Sequence, residues 1–153
     1  MDISYSDEQD DPLPGDWLID VARVAMRAES LPDSTQLAVT MVNAERMADL
    51  NREYLGRSGP TDVLSFPIED FSAGTPERDE AGPPLLLGDI FVCPAVVRNN
   101  AAMSGVRFED EMALMIVHGF LHLLGRDHVL DEEAEAMEQR EREILAMMGR
   151  ERP

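Results

Sequence analysis

The run Met112-Ala-Leu-Met-Ile-Val-His118-Gly-Phe-Leu-His122-Leu-Leu-Gly125-Arg-Asp127-His128 carries two readings at once. From Met112 to Leu124 almost every residue except the two histidines is apolar, the pattern of a helix buried on all sides at the centre of a domain. His118 and His122 are four apart, so on that helix both imidazoles leave one face about a turn apart and reach a common point. Gly125 can take a positive φ and end the helix, after which the chain turns back and brings His128 to the same point. Three neutral imidazoles suit zinc and leave a fourth position open, which implies chemistry rather than scaffolding. Nickel or cobalt would fit three imidazoles too, because affinity order alone does not select zinc.

The spacing His-x-x-x-His-x-x-Gly-x-x-His is that of metzincin proteases with one departure. Gly119 stands where those enzymes carry the glutamate that serves as general base. Losing that carboxylate keeps the ligand geometry and weakens a proteolytic reading. The three histidines are the only ones in the chain.

Around this helix the order of elements is β-α-β-α-β-β-α-α-α. Ile3 and Tyr5 alternate in a short edge strand over residues 2 to 5. Trp17, Leu18, Val21, Ala22, Val24 and Ala25 recur at helical spacing from Asp16 to about Ser30. Residues 35 to 42 are apolar on both faces, as a covered strand is. Asn43 caps a helix that runs to about Leu55 and puts Met47, Leu50 and Tyr54 on one stripe. Residues 62 to 68 form a strand in which Pro67 implies a free edge, and such an edge beside a metal cleft can receive an extended substrate. Residues 85 to 93 are the most apolar strand, with Gly88 permitting close backbone approach. Pro94 opens a helix to about Ser104, and a last helix spans residues 131 to 148 with its acids on a solvated face. The fold class is α+β: a small mixed sheet covered by helices, around a central buried helix that carries the metal ligands. Residues 1 to 153 are expected to form a single domain, with residues 70 to 84, rich in glycine, proline and acids, as a flexible loop.

The run HGFLHLLGRDH, with Pro60-Thr61-Asp62-Val63-Leu64-Ser65-Phe66-Pro67 and Leu87-Gly88-Asp89-Ile90, resembles the YbeY family of bacterial endoribonucleases, or rRNA maturation factors. The resemblance runs from about Asn51 to about Arg142. It implies a zinc-dependent endoribonuclease that prefers single strands and acts in 16S rRNA 3' end maturation and ribosome quality control. Its partners would be single-stranded RNA and the ribosome or its small-subunit proteins. It also places the strand bearing Thr61, Asp62 and Ser65 beside the zinc, which makes these three candidate substrate contacts; turn and edge chemistry is their other reading.

Asp127, the nearest carboxylate to the ligands in sequence, is a candidate base or an orienter of a histidine, and the orienting role is preferred. Arg57 and Arg126 are candidate phosphate contacts, since a guanidinium meets phosphate with two parallel hydrogen bonds. One departure from the family concerns an arginine. Members usually have one directly after the aromatic residue of the block before Pro-Thr-Asp, where this chain has Leu55 after Tyr54 and Arg57 two residues on.

Charge opposes the RNA reading. The formal net charge is −18 over 153 residues, with 13 arginines and no lysine. Residues 1 to 42 hold nine acids and two arginines, 43 to 130 fourteen and seven, and 131 to 153 eight and four, so no third is basic. Any RNA site must therefore be a local arginine cluster around the metal. A non-catalytic ribosome-associated factor, in which the metal ties the helix to the next loop, is therefore the first alternative, and a peptidase the second. The acidic N-terminus has no signal-peptide pattern, no stretch is long enough to span a membrane, and the single cysteine, Cys93, suits a reducing compartment. A cytoplasmic protein without a membrane partner is expected.

Overall fold

A computed structural model describes residues 1–71 and 82–153. The expected loop over 70 to 84 falls mostly outside them; residues 82 to 84 form neither helix nor strand. Among the described residues the elements are β1 (Asp2–Asp7), α1 (Asp16–Ala28), β2 (Gln36–Met41), α2 (Ala44–Leu55), β3 (Val63–Pro67), β4 (Leu86–Val92), α3 (Pro94–Ser104), α4 (Phe108–Leu123) and α5 (Asp131–Met147). This is the order that the sequence periodicity predicts, and the α+β class stands.

The sheet runs β1-β2-β4-β3, with β1, β2 and β4 parallel and β3 antiparallel on the outside. Strand alternation sorts its two faces. Leu37, Val39, Met41, Ile90 and Val92 face the main core with α1 and α4, whereas Leu64 and Cys93 join Val42 and α2 residues Met47 and Leu50 in a smaller cluster. Cys93 is thus a buried small hydrophobe with a free thiol.

Local chemistry sets the boundaries. Asn43 caps α2 by accepting from the Arg46 amide at 2.8 Å, and Gly56 ends that helix at φ 64°. At Gly88, φ 140°, a Cβ would stand 2.2 Å from the Phe66 carbonyl oxygen, so the β3–β4 approach excludes any side chain there.

Helix α4 is the hub. It packs against α1, α3, α5, β3 and β4. Its residues Met112 to Val117, Gly119 to Leu121 and Leu123 are all buried. Its half-exposed positions include Glu111, His118 and His122. Spaced by seven and four, these three share one helical stripe, and that stripe opens beside β3.

Candidate metal centre

The stripe brings the histidines together as the spacing predicts. His118 Nε2 and His122 Nε2 lie 3.0 Å apart. The His128 ring stands 5.5 Å from that of His118 and 5.1 Å from that of His122. One ligand nitrogen from each residue falls within a group spanning 4.8 Å. Tetrahedral zinc with Zn–N near 2.0–2.1 Å needs nitrogens about 3.3 Å apart, and the His118–His122 pair is already close to that spacing. The donor set fits a divalent transition ion. Among the described residues this group contains three ligands and no fourth.

The loop that returns His128 is built locally. Gly125, at φ 86°, donates to the His122 carbonyl at 3.0 Å, and the Arg126 amide donates to the Leu121 carbonyl at 3.1 Å. Asp127 Oδ1 accepts the His128 amide at 2.7 Å. The Asp127 carboxylate thus meets the His128 backbone.

The outward nitrogens of the helical pair are both engaged. His122 Nδ1 lies 2.9 Å from the Arg126 carbonyl oxygen, which can only accept, so His122 carries its proton on Nδ1 and turns the Nε2 lone pair to the centre. His118 Nδ1 lies 3.1 Å from Glu141 Oε2, a carboxylate on α5. Burial, then the His118 and His128 rings, hold the His122 pKa below the ordinary histidine range, although the Arg126 carbonyl and Asp127 pull the other way. A neutral imidazole is the state a metal requires.

Gly119 faces the sheet. A Cβ there would meet Ile90 Cγ2 at 3.0 Å, Ser65 Oγ at 3.1 Å and Val63 Cγ2 at 3.2 Å. Close packing of α4 on β3 and β4 thus leaves no room for a protease's glutamate.

The centre opens into a cleft of about 640 Å³ whose walls include Tyr54, Leu55, Arg57, Thr61, Asp62 and Ser65. The candidate substrate residues do line it, with their side chains turned to local partners. Thr61 Oγ1 donates to Asp62 Oδ1 at 3.3 Å, the Val63 amide donates to the same oxygen at 2.8 Å, and Ser65 Oγ donates to the Gly119 carbonyl at 2.8 Å. The β3–β4 ladder, with Cys93 N–H donating to Asp62 O and Ile68 N–H to Leu87 O, turns the amides of residues 63, 65 and 67 outward. Val63 spends its amide on Asp62 and Pro67 has none, so Ser65 N–H is the outward donor of this strand among the described residues. Arg57 follows the α2 C-cap onto the cleft wall, whereas Arg126 sits exposed in the ligand loop.

Two features escape the sequence reading. Tyr54, expected on the packed stripe of α2, is 59% exposed and stands edge-on to Phe66 with centroids 5.1 Å apart. Glu141, assigned to a solvated face, is 1% exposed. A signal for it exists: position 141 is four after Met137 and three and four before Ile144 and Leu145, which makes it an acid on the apolar stripe of α5.

An α+β fold in which two histidines of α4 and a third from the loop after it meet at an open cleft, grouped as a metal ion could be held, defines the class, and comparison narrows it. A family model described as Endoribonuclease YbeY matches residues 4–149. The chain belongs to that family. It is 38% identical to an endoribonuclease YbeY from Micrococcus luteus, over 100% of this chain and 96% of that protein. It is 43% identical to one from Halalkalibacterium halodurans over 82% of this chain and 80% of the relative, and 39% identical to one from Salinispora tropica over 98% and 93%. The fold is similar to the solution structure of TM1509 from Thermotoga maritima, with a TM-score of 0.61 at 24% identity, covering 96% of this chain and 91% of that one.

Proposed function

We propose that this chain is a metal-dependent endoribonuclease that cuts single-stranded RNA, with one divalent ion, zinc foremost, held by His118, His122 and His128. The observation that carries the reading is the convergence of three imidazoles on the floor of an open cleft. When bound there, such an ion supplies Lewis acidity at a phosphoryl oxygen and a nucleophile drawn from water near neutral pH.

The protein's own residues hold and present the strand. The Ser65 amide and the Arg57 guanidinium offer donors to backbone phosphates, and Arg126 flanks the ligand loop. The exposed ring of Tyr54 offers a face to a base. Thr61 and Asp62 shape the wall rather than contact substrate, because their hydroxyl and carboxylate are hydrogen-bonded to each other and to Val63. Asp127 lines the same cleft and holds the His128 backbone with Oδ1, which supports the orienting role over that of general base.

The names of the relatives support RNA as substrate. Ribosomal RNA, in 16S 3' end maturation and ribosome quality control in the cytoplasm with small-subunit proteins as partners, is the setting proposed for it. No helix among the described residues is long and apolar enough to cross a membrane. Residues 1 to 153 are proposed to act as one domain, because α4 alone packs against five other elements.

The test compares cleavage of a single-stranded RNA and its duplex by wild type and His122→Ala, with metal content measured on the same preparations. Loss of metal together with single-strand cleavage supports the reading. Loss of metal with unchanged weak cleavage assigns the cleavage to contamination. That outcome would favour a non-catalytic ribosome-associated factor, the reading to which the net charge of −18 and the absence of an arginine at Leu55 lend weight.

A further inference from the structure

We infer that Glu141 is a positioning residue of the metal centre, locked in place by Arg152, and that it fixes His118 with Nε2 toward the ion; this rests on the metal reading above. Glu141 comes from α5, 23 positions beyond its partner, and reaches His118 Nδ1 with Oε2 at 3.1 Å. Its other oxygen, Oε1, accepts from Arg152 Nε at 3.3 Å. Both carboxylate oxygens are thereby committed, one to the imidazole and one to the guanidinium. The residue is 1% exposed, yet it stands between Met137 and Ile144 on a stripe where an apolar side chain would pack.

Stability alone does not account for an acid there. A buried ion pair rarely outperforms well-packed hydrophobic residues of similar volume, because removing two charges from water costs about what their attraction returns. A positional task does account for it. A carboxylate accepts only, so it selects the tautomer of His118 with the proton on Nδ1 and leaves the lone pair on Nε2, which already stands 3.0 Å from its counterpart on His122. The two helical ligands are then oriented by different groups. His122 relies on the Arg126 carbonyl of its own loop, whereas His118 relies on a charged side chain from another helix. The negative charge also raises the donor strength of the imidazole, which a backbone carbonyl does less. Arg152, itself within 4.0 Å of Glu138, sets its guanidinium against the second carboxylate oxygen of Glu141 and so holds that side chain in one orientation. The last helix and the residues beyond it thus become part of the metal centre.

The test uses the full chain, freed of metal, with zinc as the probe in competition against a chromophoric chelator. Wild type is compared with Glu141→Gln, which keeps an accepting oxygen but no charge, and with Glu141→Ala. We expect zinc affinity to fall by about 10- to 100-fold in Glu141→Ala and by less in Glu141→Gln, the usual cost of losing a group that orients a metal ligand. Nitrogen-15 spectra of the metal-free proteins supply a readout that a merely structural tie would not move. The neutral His118 ring is expected as the Nδ1–H tautomer in wild type and as a mixture with Nε2–H in Glu141→Ala. Should the alanine variant fail to fold, Glu141→Leu, which fills the space without an accepting oxygen, carries both measurements. Unchanged zinc affinity and an unchanged tautomer in folded variants overturn the inference while leaving the metal centre standing. A wild type that binds no zinc overturns both.

Discussion

Gly119 explains at the scale of one residue why a protease-like ligand spacing does not make a protease. Its missing side chain lets α4 lie against Val63, Ser65 and Ile90, and the hydroxyl of Ser65 closes the contact on the Gly119 carbonyl. Replacing a glycine by alanine inside a helix ordinarily gains about 1 kcal/mol. Here the new methyl would stand 3.0–3.2 Å from three neighbours, two of them branched side chains fixed in the sheet. Overpacking of this kind typically costs about 1–3 kcal/mol, so Gly119→Ala is expected to unfold at a lower temperature than wild type despite the propensity gain. A more stable variant in thermal melts would show that the helix–sheet gap is wider than the geometry gives. The same scale shows what a sequence can disclose. His118, His122 and His128 lie within eleven residues, and a metal site whose ligands are local is written in their spacing. Glu141 meets His118 only after α5 has folded back across α4, so its task has no local pattern beyond an acid set on an apolar stripe.

Among the elements, β1 depends on side chains more than its edge position suggests. Tyr5 lies over the start of α1, where a Cβ on Gly15 would stand 2.4 Å from its ring, and its hydroxyl stands 3.5 Å from both Asp7 Oδ2 and the Leu13 carbonyl. Burial and then the Asp7 carboxylate push the Tyr5 pKa up to about 12 from an ordinary 10.0. The folded state therefore keeps a proton that the unfolded chain has released. Its contribution to stability is complete below pH 10 and is lost as the pH rises toward 12. In urea unfolding, wild type is expected to lose stability relative to Tyr5→Phe across that window; parallel curves would remove Tyr5 as the cause. Element order and type were legible throughout because periodicity and caps are local, as at Asn43, Gly56 and Pro94. Tyr54 was misplaced for the complementary reason. Helical spacing puts it on the stripe of Met47 and Leu50, but the residue is 59% exposed and its ring stands edge-on to Phe66 of β3.

For the whole molecule, the unusual quantity is a net charge of −18 on a chain whose family acts on a polyanion. A basic groove would solve this by neutralising many phosphates, yet the described cleft wall holds Arg57 as its one arginine, with Arg126 exposed nearby. Each phosphate neutralised on a single strand adds about −0.7 to the slope of log affinity against log salt. One or two contacts give a slope between about −0.7 and −1.4, so affinity should fall only about three- to sevenfold between 50 and 200 mM salt. Six contacts would cost hundreds of fold over the same range. On the proposed reading what remains comes from the ion, the Ser65 amide and stacking on Tyr54, and a stacked base contributes about 1–3 kcal/mol with little salt dependence. Fluorescence anisotropy of a labelled single-stranded RNA on the Tyr54→Ala protein should therefore show weaker binding by roughly one order of magnitude at every salt concentration, with an unchanged slope. A slope steeper than about −3 in wild type would mean that arginines outside this cleft hold the strand, and that the RNA path runs elsewhere on the molecule.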